Sequence, residues 1–170
     1  MENKIDIRPI QLEDYQAFNK AVNSVCDEKI YVATVQGFEI NQTRKYVENI
    51  VVNKYPHVVA VENEEIIGWC GVIPDARKGF SHVGLLGLGV IKPFRGKGVG
   101  KELLNSCLNL AKSTDIEKIE LEVFSDNNVA IKLYESVGFQ QEGLKIKARK
   151  YNGHYQNIST MALFINDWNA

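Results

Sequence analysis

A chain of 170 residues, 45% hydrophobic and 24% charged, has the composition of an ordinary soluble globular protein and is expected to form a single domain over residues 1–170. A net charge of -1 supplies no global field for nucleic acid or an anionic membrane, so neither is an expected partner. Any anion site must come from local clustering, and a small molecule is the expected ligand.

The opening MENKIDIRPI has no long apolar run after a basic start, and no stretch of about 20 apolar residues follows, so the protein is expected in the cytoplasm. Ile5 to Ile10 alternates as a strand, followed by a helix with Leu12, Tyr15, Phe18, Ala21, Val22 and Val25 on one face. From Cys26 to Gln42 no periodicity holds. The run mixes Tyr31 and Phe38 with Asp27, Glu28, Gln36 and Glu39, the composition of a substrate wall or of a plain connecting loop.

Thr43 is expected to cap a helix through about Val52 that turns Tyr46, Val47 and Ile50 inward, with Pro56 ending it. His57–Glu62 and Ile66–Ile73 read as an antiparallel hairpin. After a polar loop, His82 to Val90 is almost wholly apolar with three glycines, a strand buried on both faces whose glycines suggest a bulge or close approach of another molecule. Pro93 then breaks the chain, and a helical stripe of Leu103, Leu104, Cys107, Leu108 and Ala111 runs to about Ser113. Ile119, Leu121 and Val123 alternate with Glu120 and Glu122 as a strand. Asp126 or Asn127 is expected to cap a helix carrying Ala130, Leu133, Tyr134 and Val137, closed by Gly138. Phe139 starts another strand, and Leu144–Tyr151 with His154–Phe164 forms a hairpin turning at Asn152-Gly153.

The chemistry concentrates between strand and helix in Arg95-Gly96-Lys97-Gly98-Val99-Gly100. Three glycines in five residues bring main-chain N–H groups to a helix N-terminus beside Arg95, Lys97 and Lys101, which is how a pyrophosphate is cradled. A P-loop is excluded, because the residue six before Lys101 is Arg95 and the one after it is Glu102. A Rossmann turn is excluded by the Gly-x-Gly-x-Gly spacing and the late position. A glycine-rich surface turn remains the alternative on the hexapeptide alone. Cys26, Cys70 and Cys107 are odd in number and far apart, the pattern of reduced core thiols, and no metal site is expected.

Arg-x-x-Gly-x-Gly after a strand ending in Val resembles motif A of the GCN5-related N-acetyltransferase (GNAT) family, which binds the pyrophosphate of acetyl-CoA. Asn127 to Phe139, with Asn127, Ala130, Tyr134, Glu135, Gly138 and Phe139 in place, resembles a second helix motif of that family. The order of elements is similar too. The resemblance implies an α/β (α+β) fold with a mixed, mostly antiparallel central sheet and helices on both faces. It also implies an enzyme that transfers the acetyl group of acetyl-CoA to a primary amine.

Carried over residue by residue, the resemblance implies that Leu88, Gly89 and Val90 offer main-chain groups to the pantetheine arm and the thioester carbonyl. Arg95, Gly96, Lys97, Gly98, Val99 and Gly100 would hold the pyrophosphate, Asn127 would bond the cofactor's arm, and Tyr134 would protonate the departing thiolate. Many relatives place a basic carboxylate six residues before the strand's last valine, and here that residue is Gly84. His82 and Glu122 are the substitutes named for the base, with Glu120 beside Glu122, and Glu39 is a candidate to recognise a substrate ammonium. Cys70 and Cys107 lack an adjacent His motif, so direct attack in a ternary complex is expected rather than an acyl-cysteine.

The end of the chain resembles three subgroups, acting on free amino acids, on ribosomal-protein N-termini and on spermidine, the first being nearest. From another class stands a non-catalytic acyl-CoA-binding regulatory module, supported by Gly84. The terminal hairpin offers an edge through which a homodimer could form.

Overall fold

The computed structural model describes residues 5–31 and 36–169. Four of the residues between Cys26 and Gln42, numbers 32–35, lie outside that set. Among the described residues the chain runs β1 (Asp6–Pro9), α1 (Tyr15–Cys26), α2 (Ile40–Asn53), β2 (His57–Glu62), β3 (Glu65–Pro74), β4 (Val83–Val90), α3 (Val99–Ala111), β5 (Lys118–Phe124), α4 (Asn128–Val137), β6 (Gln140–Tyr151) and β7 (His154–Phe164). The strands make one sheet in the order β1-β2-β3-β4-β5-β7-β6. Every neighbouring pair is antiparallel except β4 and β5.

The helices cover both faces because their apolar stripes leave no other way to exclude water. On one face α1 and α2 bury Phe18, Ala21, Val25, Val47 and Ile50 against Val59, Ile66 and Trp69. On the other, α3 inserts Leu103, Leu104 and Leu108, each fully buried, among Cys70, Val72, Ile119 and Leu121. At about 1.5–3 kcal/mol for each leucine, that burial fixes the helix whose first turn carries the glycine cradle. The alternation read in β5 holds: Ile119, Leu121 and Val123 are buried while Glu122 is exposed. All three cysteines are free and buried.

Three local expectations change. The second helix begins at Ile40, where Glu39 forms a capping box with Gln42, and Thr43 is instead a buried residue whose Oγ1 accepts from Asn19 Nδ2 at 2.8 Å. Tyr46 is 41% exposed rather than turned wholly inward. Phe139 belongs to the end of α4, its N–H donating to the Tyr134 carbonyl around Gly138 (φ 110°), and the strand that follows is continuous with the first arm of the hairpin.

One buried group on the α1 side has a titration consequence. His57 is 1% exposed, edge-on to Phe18 and Tyr46, and lies so close over Gly71 that a Cβ there would stand 2.8 Å from its Nε2. Its Nδ1 has no hydrogen-bond partner among the described residues, and burial lowers its pKa to about 4. The folded value lies below the unfolded one, so the unfolded chain takes up the proton first as pH falls. Stability from this residue is complete above pH ~6.5 and declines toward pH ~4, by about 3 kcal/mol in all. Urea unfolding across that window should show the decline, and His57→Leu should flatten it.

Candidate active site

Strand β4 is paired with β3 along its whole length, from Pro74 opposite Gly84 to Gly68 opposite Val90. Its pairing with β5 stops at Leu85 opposite Glu120, after three rungs. Beyond that point the parallel strands part, and the β5-facing backbone of Leu86 to Val90 has no strand to meet among the described residues. A wedge with unpaired main-chain groups on its wall is a place for a ligand, since such groups are otherwise costly to leave unmet.

At the open end of the wedge the chain turns through Lys92–Phe94 into the cradle. Gly96 and Gly98 adopt φ of +72° and +85°, a region that favours glycine, and a Cβ on either would meet nothing within 4 Å. Gly98 is the N-cap of α3, so the first N–H groups of that helix point out of its end toward the same open space. Lys97 and Lys101 are exposed beside it. Val99 is buried in the core, and a Cβ on Gly100 would stand 3.4 Å from Leu133 Cδ2 of α4. These features fit a pyrophosphate: open space, N–H donors, positive charge and no side chain in the way.

Arg95 stands elsewhere than the sequence suggests. Its guanidinium makes a bidentate pair with Glu28 at 2.6 and 2.8 Å, its Nε donates to the Val90 carbonyl at 2.7 Å, and it stacks over the Tyr31 ring at 4.6 Å. The hydrogen bond from Arg95 holds the Glu28 carboxylate below its ordinary pKa. Arg149 of β6 lies over Phe124 at the end of β5 and donates to the Lys29 carbonyl at 3.3 Å. The segment after α1 is thus strapped across the wedge, to the end of β4 by one arginine and to the end of β5 by another. Nothing local in the sequence links Glu28 to a partner 67 positions away. A double-mutant cycle of Glu28→Gln and Arg95→Gln, read by urea denaturation, should give a coupling of roughly 0.5–3 kcal/mol.

Tyr134 is 6% exposed on α4, within the core cluster that includes Leu103 and Phe139, whose ring lies 5.7 Å away. Burial pushes its phenol well above the ordinary value, with Cys70 adding to the shift. Cys70 is the β3 partner of Leu88, which sets the phenol near the level of the wedge. The hydroxyl makes no hydrogen bond among the described residues, and the residue as a whole is buried. Asn127 caps α4 by accepting the Ala130 N–H at 3.2 Å, leaving its amide donors without a partner among the described residues.

The residues read as bases fall apart. His82 precedes β4 at the end where β4 and β5 are joined, its carbonyl accepting from Glu117 and Lys118, about 25 Å of strand from Val90. It does not reach the wedge. Glu39 is the exposed N-cap residue of α2, its N–H donating to Gln42 Oε1 at 3.3 Å. Glu120 pairs with Lys118 at 2.8 Å, and Glu122, past the last rung and so beside the wedge, pairs with Lys145. At Gly84, a Cβ would overlap Val72 Cγ1 and stand 3.2 Å from two atoms of Ile116. That position faces closed core.

The model of the acetyltransferase (GNAT) family matches residues 28–139, more than half of the chain. This chain belongs to the GNAT family. As a GNAT acetyltransferase it takes its acetyl group from acetyl-CoA. Among proteins it resembles, an uncharacterized N-acetyltransferase of Bacillus subtilis, YycN, is 26% identical over 81% of this chain and 93% of its own. The L-amino acid N-acetyltransferase AaaT of Escherichia coli is 31% identical over 62% and 65%. The bS18-alanine N-acetyltransferase of Haemophilus ducreyi is 32% identical over 66% and 75%. In fold it matches YncA of Salmonella typhimurium, a structure with acetyl-CoA, at TM-score 0.90 and 20% identity over 98% of this chain and 97% of that one. No helix among the described residues is long and apolar enough to cross a membrane.

Proposed function

We propose that this acetyltransferase, working as one domain, acetylates a small primary amine of the free amino-acid type by direct attack in a ternary complex. The observation that carries the reading is the wedge between β4 and β5, with the glycine cradle at its mouth; Tyr134, in the core cluster against which Leu88 and Val90 pack, is the acid this reading assigns to it. Acetyl-CoA brings an acyl group on a thiol leaving group. Backbone N–H groups of Gly96 to Gly100, with Lys97 and Lys101, would hold its pyrophosphate, while Arg95 acts by fixing the end of β4 and the strap.

Main-chain groups of Leu88 to Val90 orient the carbonyl, and the Asn127 amide orients the arm. Tyr134 donates its proton at the sulfur. Burial keeps that phenol protonated throughout the physiological range, so the donor is always present. Glu122, two residues past the last β4–β5 rung and paired with Lys145, is the carboxylate to which this reading assigns the proton of the amine.

The relative named for L-amino acids supports a free amino acid; those named for bS18 alanine support the second reading, a protein N-terminus. Thiol release from acetyl-CoA with a panel of amines tests the proposal. Amine-dependent release with intersecting initial-velocity lines is the expected result. Parallel lines with an isolable acetyl-enzyme overturn direct attack, and coenzyme-dependent thermal stabilisation with no release for any amine would mark a binding module instead.

A further inference from the structure

We infer that the acceptor carries an uncharged aryl or branched-alkyl side chain beside its amine, seated in a pocket between α1, α2 and β3. This rests on the acetyl-transfer reading and names the class of amine it acts on. The pocket has a volume of about 570 Å³, within the range of small-ligand sites. Its walls are the rings of Phe18, Phe38, Tyr46 and Trp69, and its polar edge is Gln42 and Thr43. Among the described residues, none that lines it is charged. The Tyr46 ring is neutral at any physiological pH, since a phenol ionises only at pH ~10.

The pocket adjoins the proposed site of transfer. Trp69 is the β3 partner of Gly89, and its indole lies against the Gly89 backbone so closely that a Cβ there would stand 2.9 Å from Cε2. One face of the indole wall therefore belongs to the pocket and its edge to the strand that bounds the wedge. An amine attached to a group in the pocket has a short path to the backbone of Leu88 to Val90.

The mouth is built rather than floppy. Phe38 is 43% exposed, which would be a loss for an apolar ring with no ligand, yet its backbone is pinned on both sides. Its N–H donates to Asn23 Oδ1 at 2.8 Å, and its carbonyl accepts from Asn19 at 2.9 Å and Asn23 at 3.1 Å. Two side chains of α1 are thus committed to holding one exposed aromatic over the opening.

Charge decides the class. A second ammonium or a carboxylate entering this pocket would lose its hydration and find no countercharge, at a cost of several kcal/mol. No carboxylate is among the residues that line the pocket: Glu39, next to Phe38, is exposed outside it, Glu120 and Glu142 share Lys118, and Glu122, the proposed base, pairs with Lys145. An aryl or branched-alkyl group instead gains contact with four rings.

The test compares matched amines with acetyl-CoA in two arms, one of free amines and one of tripeptides, so that a free acceptor and a protein N-terminus are told apart. The free arm holds 2-phenylethylamine, isoamylamine, L-phenylalanine, L-glutamate, L-lysine and spermidine; the peptide arm holds Phe-Ala-Ala and Glu-Ala-Ala. Aryl and branched-alkyl acceptors are expected to exceed the charged ones in kcat/KM by at least about tenfold. Phe38→Ala should lower kcat/KM about tenfold for the aryl set while the KM for acetyl-CoA stays within about twofold.

Gln42→Glu keeps the capping interaction with the Glu39 N–H, so it should fold, and it should turn the preference toward lysine and spermidine. Charged acceptors leading in the wild type, or a ranking indifferent to both substitutions, overturns the pocket and leaves acetyl transfer standing. Absence of thiol release in both arms overturns the transfer reading, and the pocket's role falls with it.

Discussion

Tyr134→Phe is expected to slow acetyl transfer by roughly a hundred- to ten-thousand-fold, the span associated with losing a positioned acid. Stability should stay within about 1 kcal/mol of the wild type, because the hydroxyl has no hydrogen-bond partner among the described residues to lose. The ring would keep its contacts with Phe139 and the α3 leucines, so the cofactor site should survive and the KM for acetyl-CoA should change little. A loss confined to kcat separates an acid from a wall of the tunnel. The wild-type rate should also show no alkaline decline from this phenol below about pH 10, since burial moves its ionisation upward. Unchanged kcat in the variant would return Tyr134 to the status of a core aromatic.

What the sequence displayed were features whose cause is local. Gly138 is set by the left-handed end of α4, and Asn127 by the need to cap that helix. Asn152 and Gly153 both take positive φ at the last hairpin, and the apolar alternation of β5 follows from a strand that buries Ile119, Leu121 and Val123 on one side and leaves Glu122 exposed on the other. The cradle was legible for the same reason, because Gly96 and Gly98 carry their conformations with them.

What stayed hidden depends on contacts between distant positions. Arg95 looks like a phosphate ligand in a window of ten residues, and only the fold brings Glu28 and the Val90 carbonyl to it. His82 looks like a base near a buried strand until the direction of β4 places it at the joined end. Trp69, Gln42 and Thr43 share a pocket across a sheet and a helix, and no spacing signals that. Some of this was half visible: the aperiodic run from Cys26 to Gln42 contains Glu28 and Tyr31 of the strap and Phe38 of the pocket mouth.

Gly84 turns that contrast into an experiment. Restoring the carboxylate of many relatives by Gly84→Glu is expected to destabilise the protein by more than about 4 kcal/mol and to yield no gain in rate. The first methylene already overlaps Val72, a residue with no exposed surface, and crowds Ile116, so overpacking alone costs about 1–3 kcal/mol. The strand cannot move aside, because Gly84 lies in the short stretch where β4 is paired on both edges, to Pro74 and to Ile119. The carboxylate beyond it would enter a core with no cation, where an unpaired charge costs several kcal/mol more. Against a total of about 5–15 kcal/mol for a typical domain, the sum leaves little folded protein in mild urea. Gly84→Ala should show the steric part alone, near 1–3 kcal/mol. If the glutamate variant instead melted like the wild type and turned over faster, residue 84 would face the substrate. The wedge would then have to be redrawn with β4 rotated about its own axis.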